Sequence, residues 1–177
     1  MTIPKPPSQP GCEWVEECIE VCDGPSVFVE ERGIRATFLN PRREKIRKIT
    51  YDGCYCKDEQ EKQADFIVGK VNVIDIIVEL KGSDTNLKGG RGAGAQVGYT
   101  LEAWKQDPQR APKMGALIIY GRIEGAKKRP GRRPRANAAK ESVELDFLRR
   151  NKVLLLIYEN GRKQFRFKDF IRDANAD

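Results

Sequence analysis

Apolar positions along this chain recur at two periods. In 12–22 (CEWVEECIEVC), Trp14, Val15, Cys18 and Cys22 fall at helical spacing, which predicts an amphipathic helix closed by Asp23-Gly24-Pro25. The runs 26–31 (SVFVEE), 34–39 (IRATFL) and 45–51 (KIRKITY) have strand character and are punctuated by Arg32-Gly33 and Asn40-Pro41, which predicts an antiparallel meander. A polar loop is expected over 57–63. Two strands follow, 65–68 and 71–81, joined at Gly69-Lys70; the second is long and β-branched, so a central position is expected. A Gly-rich loop covers 82–92 and a helical pattern 93–106. The apolar run 114–120 suits a buried parallel strand reached by a crossover helix. A basic loop spans 122–137, and an amphipathic helix 138–150 presents Val143, Leu145, Phe147 and Leu148. Another buried strand, 153–158, is expected to turn tightly at Glu159-Asn160-Gly161 into a strand at 163–167, before a short helix at 168–174. The alternation predicts an α/β class, a mixed sheet flanked by helices. It forms one domain over 12–177, behind a flexible arm at 1–11.

Composition narrows the chemistry. A length of 177 residues suits one domain with a full core. With 39% hydrophobic and 33% charged residues, the chain reads as soluble, and its longest apolar run, 153–158, is too short to cross a bilayer. The N-terminus carries Pro4, Pro6, Pro7 and Pro10 without a signal peptide's apolar core, so a cytoplasmic location is expected. The five cysteines (Cys12, Cys18, Cys22, Cys54, Cys56) are odd in number and follow no secretory signal, so no disulfide framework is expected. Four of them could hold zinc or an iron–sulfur cluster, Cys18 with Cys22 and Cys54 with Cys56. Neither pair has C-X-X-C spacing, which favours buried free thiols. Histidine is absent, which excludes Ser-His-Asp and Cys-His nucleophile systems and His-ligated zinc sites. Catalysis would have to use carboxylates, Lys, Tyr, Cys or a metal held by oxygen.

One segment supplies such a set. In ADFIVGKVNVIDIIVELKG (64–82), alternation puts Asp75, Ile77, Glu79 and Lys81 on one strand face. A hairpin would bring Asp65 beside Glu79, giving two carboxylates and an amine at one point on a rigid sheet. Two carboxylates, a backbone carbonyl and water make a hard oxygen site suited to Mg2+, with Mn2+ as a substitute. Such a metal polarises a phosphate and acidifies a bound water, while a lysine orients that water or offsets charge in the transition state.

This pattern resembles the PD-(D/E)XK nuclease superfamily, whose motif is an Asp on one strand, then Glu-X-Lys on the next. Asp65 matches the first acid, Glu79-Leu80-Lys81 the second half, and Gly82 follows. Ala64 stands where the family usually has Pro. The resemblance implies a restriction-endonuclease-like fold: a helix, a three-strand antiparallel meander, a helix and a parallel strand. It implies that Asp65 and Glu79 bind metal with the Leu80 carbonyl, that Lys81 is catalytic, and that Gln96, with Tyr99 nearby, supports the site from the following helix. Many members carry an acid on the first helix, for which Glu13, Glu16, Glu17 and Glu20 are available; Glu31 and Asp52 are in reserve.

The net charge of +7 favours a polyanionic partner. Most of it lies in 122–135, where Arg122, Lys127, Lys128, Arg129, Arg132, Arg133 and Arg135 meet the single acid Glu124. This loop, with Lys88 and Arg91 in the Gly-rich loop, is expected to contact nucleic acid. The expected activity is a Mg2+-dependent endonuclease acting on duplex or branched DNA, in restriction, phage defence or repair, as a homodimer and without a membrane partner. The rival readings are a catalytically inactive binding, immunity or regulatory protein on the same fold, and an RNA-directed nuclease.

Overall fold

Alternating burial sorts the strands into two sheets with a helical layer on one side. The computed structural model describes residues 9, 11–57, 62–81, 92–121, 135–159 and 162–171. In chain order the strands are β1 (Cys12–Glu16), β2 (Ile19–Cys22), β3 (Ser26–Glu31), β4 (Ile34–Leu39), β5 (Ile46–Thr50), β6 (Phe66–Lys70), β7 (Ile74–Lys81), β8 (Lys113–Tyr120), β9 (Leu155–Glu159) and β10 (Arg162–Arg166). The helices are α1 (Ala93–Lys105), between β7 and β8, and α2 (Arg135–Asn151), between β8 and β9. The large sheet runs β1-β2-β5-β6-β7-β8-β9, antiparallel as far as β7 and parallel from β7 to β9. The small sheet runs β10-β4-β3. The fold is thus mixed α/β, a mixed multi-strand sheet with two helices, as the periodicities predict.

β7 and β8 are buried on both faces, which is why they read as nearly unbroken apolar runs. On one face Ile67, Ile77, Ala116 and Ile118 pack with Val97, Leu101 and Trp104 of α1. On the other, Val68, Ile76, Val78, Leu117 and Ile119 pack with Val27, Val29 and Phe38 of the small sheet and with Phe170. No described helix is long and apolar enough to cross a membrane.

Several expectations are corrected. Residues 12–22 form the β1–β2 hairpin, not a helix; the strand partners Cys12↔Cys22 and Glu13↔Val21 satisfy the backbone that a helix would have satisfied internally. The run 45–51 does not extend the β3–β4 pair; as β5 it enters the large sheet between β2 and β6. The turn between β6 and β7 falls at 71–73, with Asn72 at φ 60°, rather than at Gly69-Lys70, because Gly69 is already a ladder residue opposite Asp75. β9 and β10 are not a hairpin. β10 leaves for the small sheet and pairs parallel with β4, where Phe165 packs against Phe38. The terminal helix is a single 3-10 turn, Phe167–Phe170. The helix expected at 138–150 begins at Arg135 and takes in the end of the basic loop.

The cysteines also differ from expectation. Cys12–Cys22 and Cys18–Cys54 are disulfide-bonded, and Cys56 is free. Cys12 and Cys22 face each other across β1–β2, and Cys18 lies in the turn of that hairpin beside 51–56. The two pairs therefore sit at opposite ends of β2, on the order of 10 Å apart at ~3.3 Å per residue. That separation rules out a single four-thiolate cluster in this arrangement.

Candidate active site

The β6–β7 ladder pairs Ile67 with Ile77 and Phe66 with Val78, a register whose next step sets Asp65 opposite Glu79. Ile67 and Ile77 face α1, so by alternation Asp65 and Glu79 turn to the same side. The Asp65 carboxylate is fixed there by the Leu80 N–H, which donates to Oδ2 at 2.7 Å. Lys81, two residues beyond Glu79, holds Glu79 Oε1 at 2.5 Å. Glu79 is only 1% exposed, and its other oxygen, Oε2, is buried without a hydrogen-bond partner among the described residues. Leu80 sends its side chain to the small sheet, leaving only its backbone at the site.

The electrostatics follow from crowding two acids in a poorly solvated place. Burial pushes the Asp65 pKa well above the ordinary carboxylate range, and the Glu79 charge pushes it further, against the opposing pull of the Leu80 hydrogen bond. Burial likewise raises Glu79, while Lys81 and the Asp65 backbone hold part of that rise back. Glu31, at the end of β3, raises both. It comes from the small sheet, and it also meets Arg32 at 3.6 Å. Glu31, held in reserve from the sequence, is thus the further acid whose charge bears on both carboxylates. Glu20 lies on β2 and is bound to Lys48 at 2.8 Å, two strands from β6. Asp52 is exposed in the turn after β5.

Gln96, in the first turn of α1, is 5% exposed, with Oε1 unpartnered among the described residues. One turn on, Thr100 accepts a hydrogen bond from the Ala64 N–H at 2.7 Å and donates to Gln63 at 3.1 Å, clamping the residues just before Asp65. Tyr99 is exposed. The first turn of α1 carries no acid, and its N-cap Gly92 makes no side-chain cap bond. Asp75 shares the Glu79 face but belongs to a different cluster. Its Oδ2 accepts from Trp104 Nε1 at 2.8 Å and the Ala111 N–H at 2.7 Å, and Arg47 lies at 3.4 Å. It is a structural junction with its bonding capacity used.

The donor set suits a hard divalent cation: two converging carboxylates, one with an orphaned buried oxygen, both raised in pKa in a way that a cation would reverse. Asp65, Glu79 and Glu31 do not bring one oxygen each within 4.8 Å of one another, so two carboxylates with backbone and water is the arrangement on offer. Among the described residues that closeness occurs only at Cys12, Glu20 and Cys22, where the thiols form a disulfide and Lys48 pairs with the acid. Of the residues expected to meet nucleic acid, Lys88, Arg91, Arg122, Lys127, Lys128, Arg129, Arg132 and Arg133 lie outside the described residues, and Arg135 is described only as the start of α2. Comparison of the chain with protein-family models, with curated proteins and with solved structures finds no match.

Proposed function

We propose that this protein is a Mg2+-dependent endonuclease of PD-(D/E)XK type, acting on DNA and built on a restriction-endonuclease-like core. The observation that carries the reading is the convergence of Asp65, Glu79 and Lys81 at one end of the β6–β7 hairpin, with Glu79 Oε2 buried and unpartnered. The antiparallel trio β5-β6-β7, then α1, then the parallel strand β8, follows the order of that core; the hairpin β1–β2 stands where its leading helix would be.

Asp65 and Glu79 would hold the cation, with the Leu80 carbonyl adding an oxygen. Bound there, Mg2+ would supply polarisation of the phosphate and acidification of water. The Leu80 N–H keeps the Asp65 carboxylate aimed before any ion arrives, which limits reorganisation. Lys81, beside Glu79, would orient the attacking water or offset charge on the phosphorane-like transition state. Gln96, buried in the first turn of the helix that follows β7, would be suited to a phosphate oxygen or a water.

The test is incubation of supercoiled plasmid, branched DNA and single-stranded RNA with the full chain, with Mg2+ and with EDTA, beside Lys81→Ala. Mg2+-dependent cleavage of DNA by the native chain alone supports the reading. Binding of DNA by both proteins with cleavage by neither replaces it with a non-catalytic binder, and cleavage confined to RNA reassigns the substrate.

A further inference from the structure

A cavity of about 490 Å3 lies at the far end of the large sheet from Asp65 and Glu79. Lys113 opens β8 opposite Ile74, whereas Lys81 meets Tyr120 at the strand's other end. At ~3.3 Å per residue the two places are on the order of 20 Å apart. The cavity is formed where α1 and α2 end, where β8 begins and where the Phe167–Phe170 turn closes over the sheet. Gly115 makes that closure possible, because a Cβ there would stand 2.7 Å from Phe170 Cβ.

Its walls are of two kinds. Met114, Val153, Leu154 and Phe170 give an apolar floor. Lys105, Arg110, Lys113 and Lys152 supply cations, and among the described residues no acid lines the cavity. Lys105 is paired with Glu102 at 2.7 Å. Arg110, Lys113 and Lys152 have no carboxylate within 4.0 Å among the described residues and are exposed. Three cations around one concavity, without a carboxylate partner among the described residues, repel one another and focus positive potential inside it. The complementary ligand carries several negative charges and a flat apolar body, and the volume falls in the usual range for small-molecule sites.

We propose that this cavity binds a nucleoside polyphosphate, with its phosphates on Arg110, Lys113 and Lys152 and its base on the floor around Met114 and Phe170. The site is separate from the acidic centre, and its occupancy does not require metal there.

The experiment is titration of the full chain in EDTA with a fluorescent ATP analogue, followed by displacement with ATP, tripolyphosphate, adenosine and a single-stranded oligonucleotide. Saturable binding is expected, displaced best by ATP and weakened by salt. It should fall at least tenfold in the double variant Lys113→Glu/Lys152→Glu, checked for folding by circular dichroism, and persist in Asp65→Asn. Absence of saturable binding, or binding indifferent to the charge reversal, overturns the proposal. Better displacement by the oligonucleotide than by ATP also overturns it, making the cavity a polymer contact. Should the double variant fail to fold, Arg110→Glu, on an exposed side chain, makes the same test.

Discussion

Glu79 holds Lys81 through one carboxylate oxygen, Oε1, and keeps the other, Oε2, buried and unpartnered. A buried acceptor left open costs roughly 1–3 kcal/mol, more when charged, so the pair is poised to gain from a cation. Glu79→Gln is therefore expected to abolish Mg2+-dependent cleavage, by at least ~100-fold given the size of such electrostatic contributions. It should also remove Mg2+ binding in calorimetry. Retained metal binding in this variant would place the ion elsewhere.

Lys81→Ala separates binding from chemistry. Asp65 and Glu79 remain, so calorimetry should still detect Mg2+, at equal or higher affinity since a competing ammonium is gone. Cleavage should drop by ~100-fold or more under saturating metal. Equal loss of both would mean that the lysine acts by organising the acids.

The pH dependence of stability carries the signature of the paired acids. In the folded state Asp65 and Glu79 have raised pKa values, so the native protein binds more protons than the unfolded chain between the ordinary carboxylate range and the raised values. Their contribution is most favourable below about pH 4 and is lost as pH rises toward neutrality. Without metal, Asp65→Asn is expected to raise the melting temperature at pH 8 relative to pH 5 and to flatten this part of the profile. Mg2+ should stabilise the native protein at pH 8 and leave the variant unmoved. Thermal scans at the two pH values, with and without Mg2+, check all three.

Glu31 reaches the acids from the other sheet. Glu31→Gln removes a like charge while keeping the shape. If it adds a ligand through water, Mg2+ affinity falls several-fold; if it only repels, affinity is unchanged and the Asp65 titration moves down. The first outcome is expected, and metal titration followed by NMR of the carboxyl carbons distinguishes them.

Asp75 should matter for folding rather than chemistry. Its removal strands Trp104 Nε1, the Ala111 N–H and Arg47 in a buried place. Asp75→Ala is expected to cost ~3–5 kcal/mol in denaturant unfolding. Gly69→Ala should also destabilise, because its Cβ would meet Asp75 Oδ1 at 2.0 Å.

The sequence made the centre of this arrangement legible because the strand period is two: Asp75, Ile77, Glu79 and Lys81 can share a face only in one way. The 93–105 helix and strand β8 were equally readable. The 12–22 segment was not, because Trp14, Val15, Cys18 and Cys22 fit a helix as well as a hairpin, and the turn at Glu17-Cys18 lacks Gly, Pro or Asn. The pairing of cysteines depends on that hairpin and was hidden with it. Glu31 could be held only in reserve, since its approach to Asp65 is tertiary, across two sheets. The departure of β10 from β9 has the same origin: Asn160-Gly161 marks a change of direction and leaves the partner open.

The last strand finds its partner near the other end of the chain, Arg162 beside Arg35 and Arg166 beside Leu39. During synthesis the small sheet must therefore wait, its β4 edge bare, until β10, more than a hundred residues further along, has been made. A chain cut short before β10 would keep Asp65, Glu79 and Lys81 yet lack the Phe165 seal on Phe38, and would be prone to recruit a foreign strand in its place.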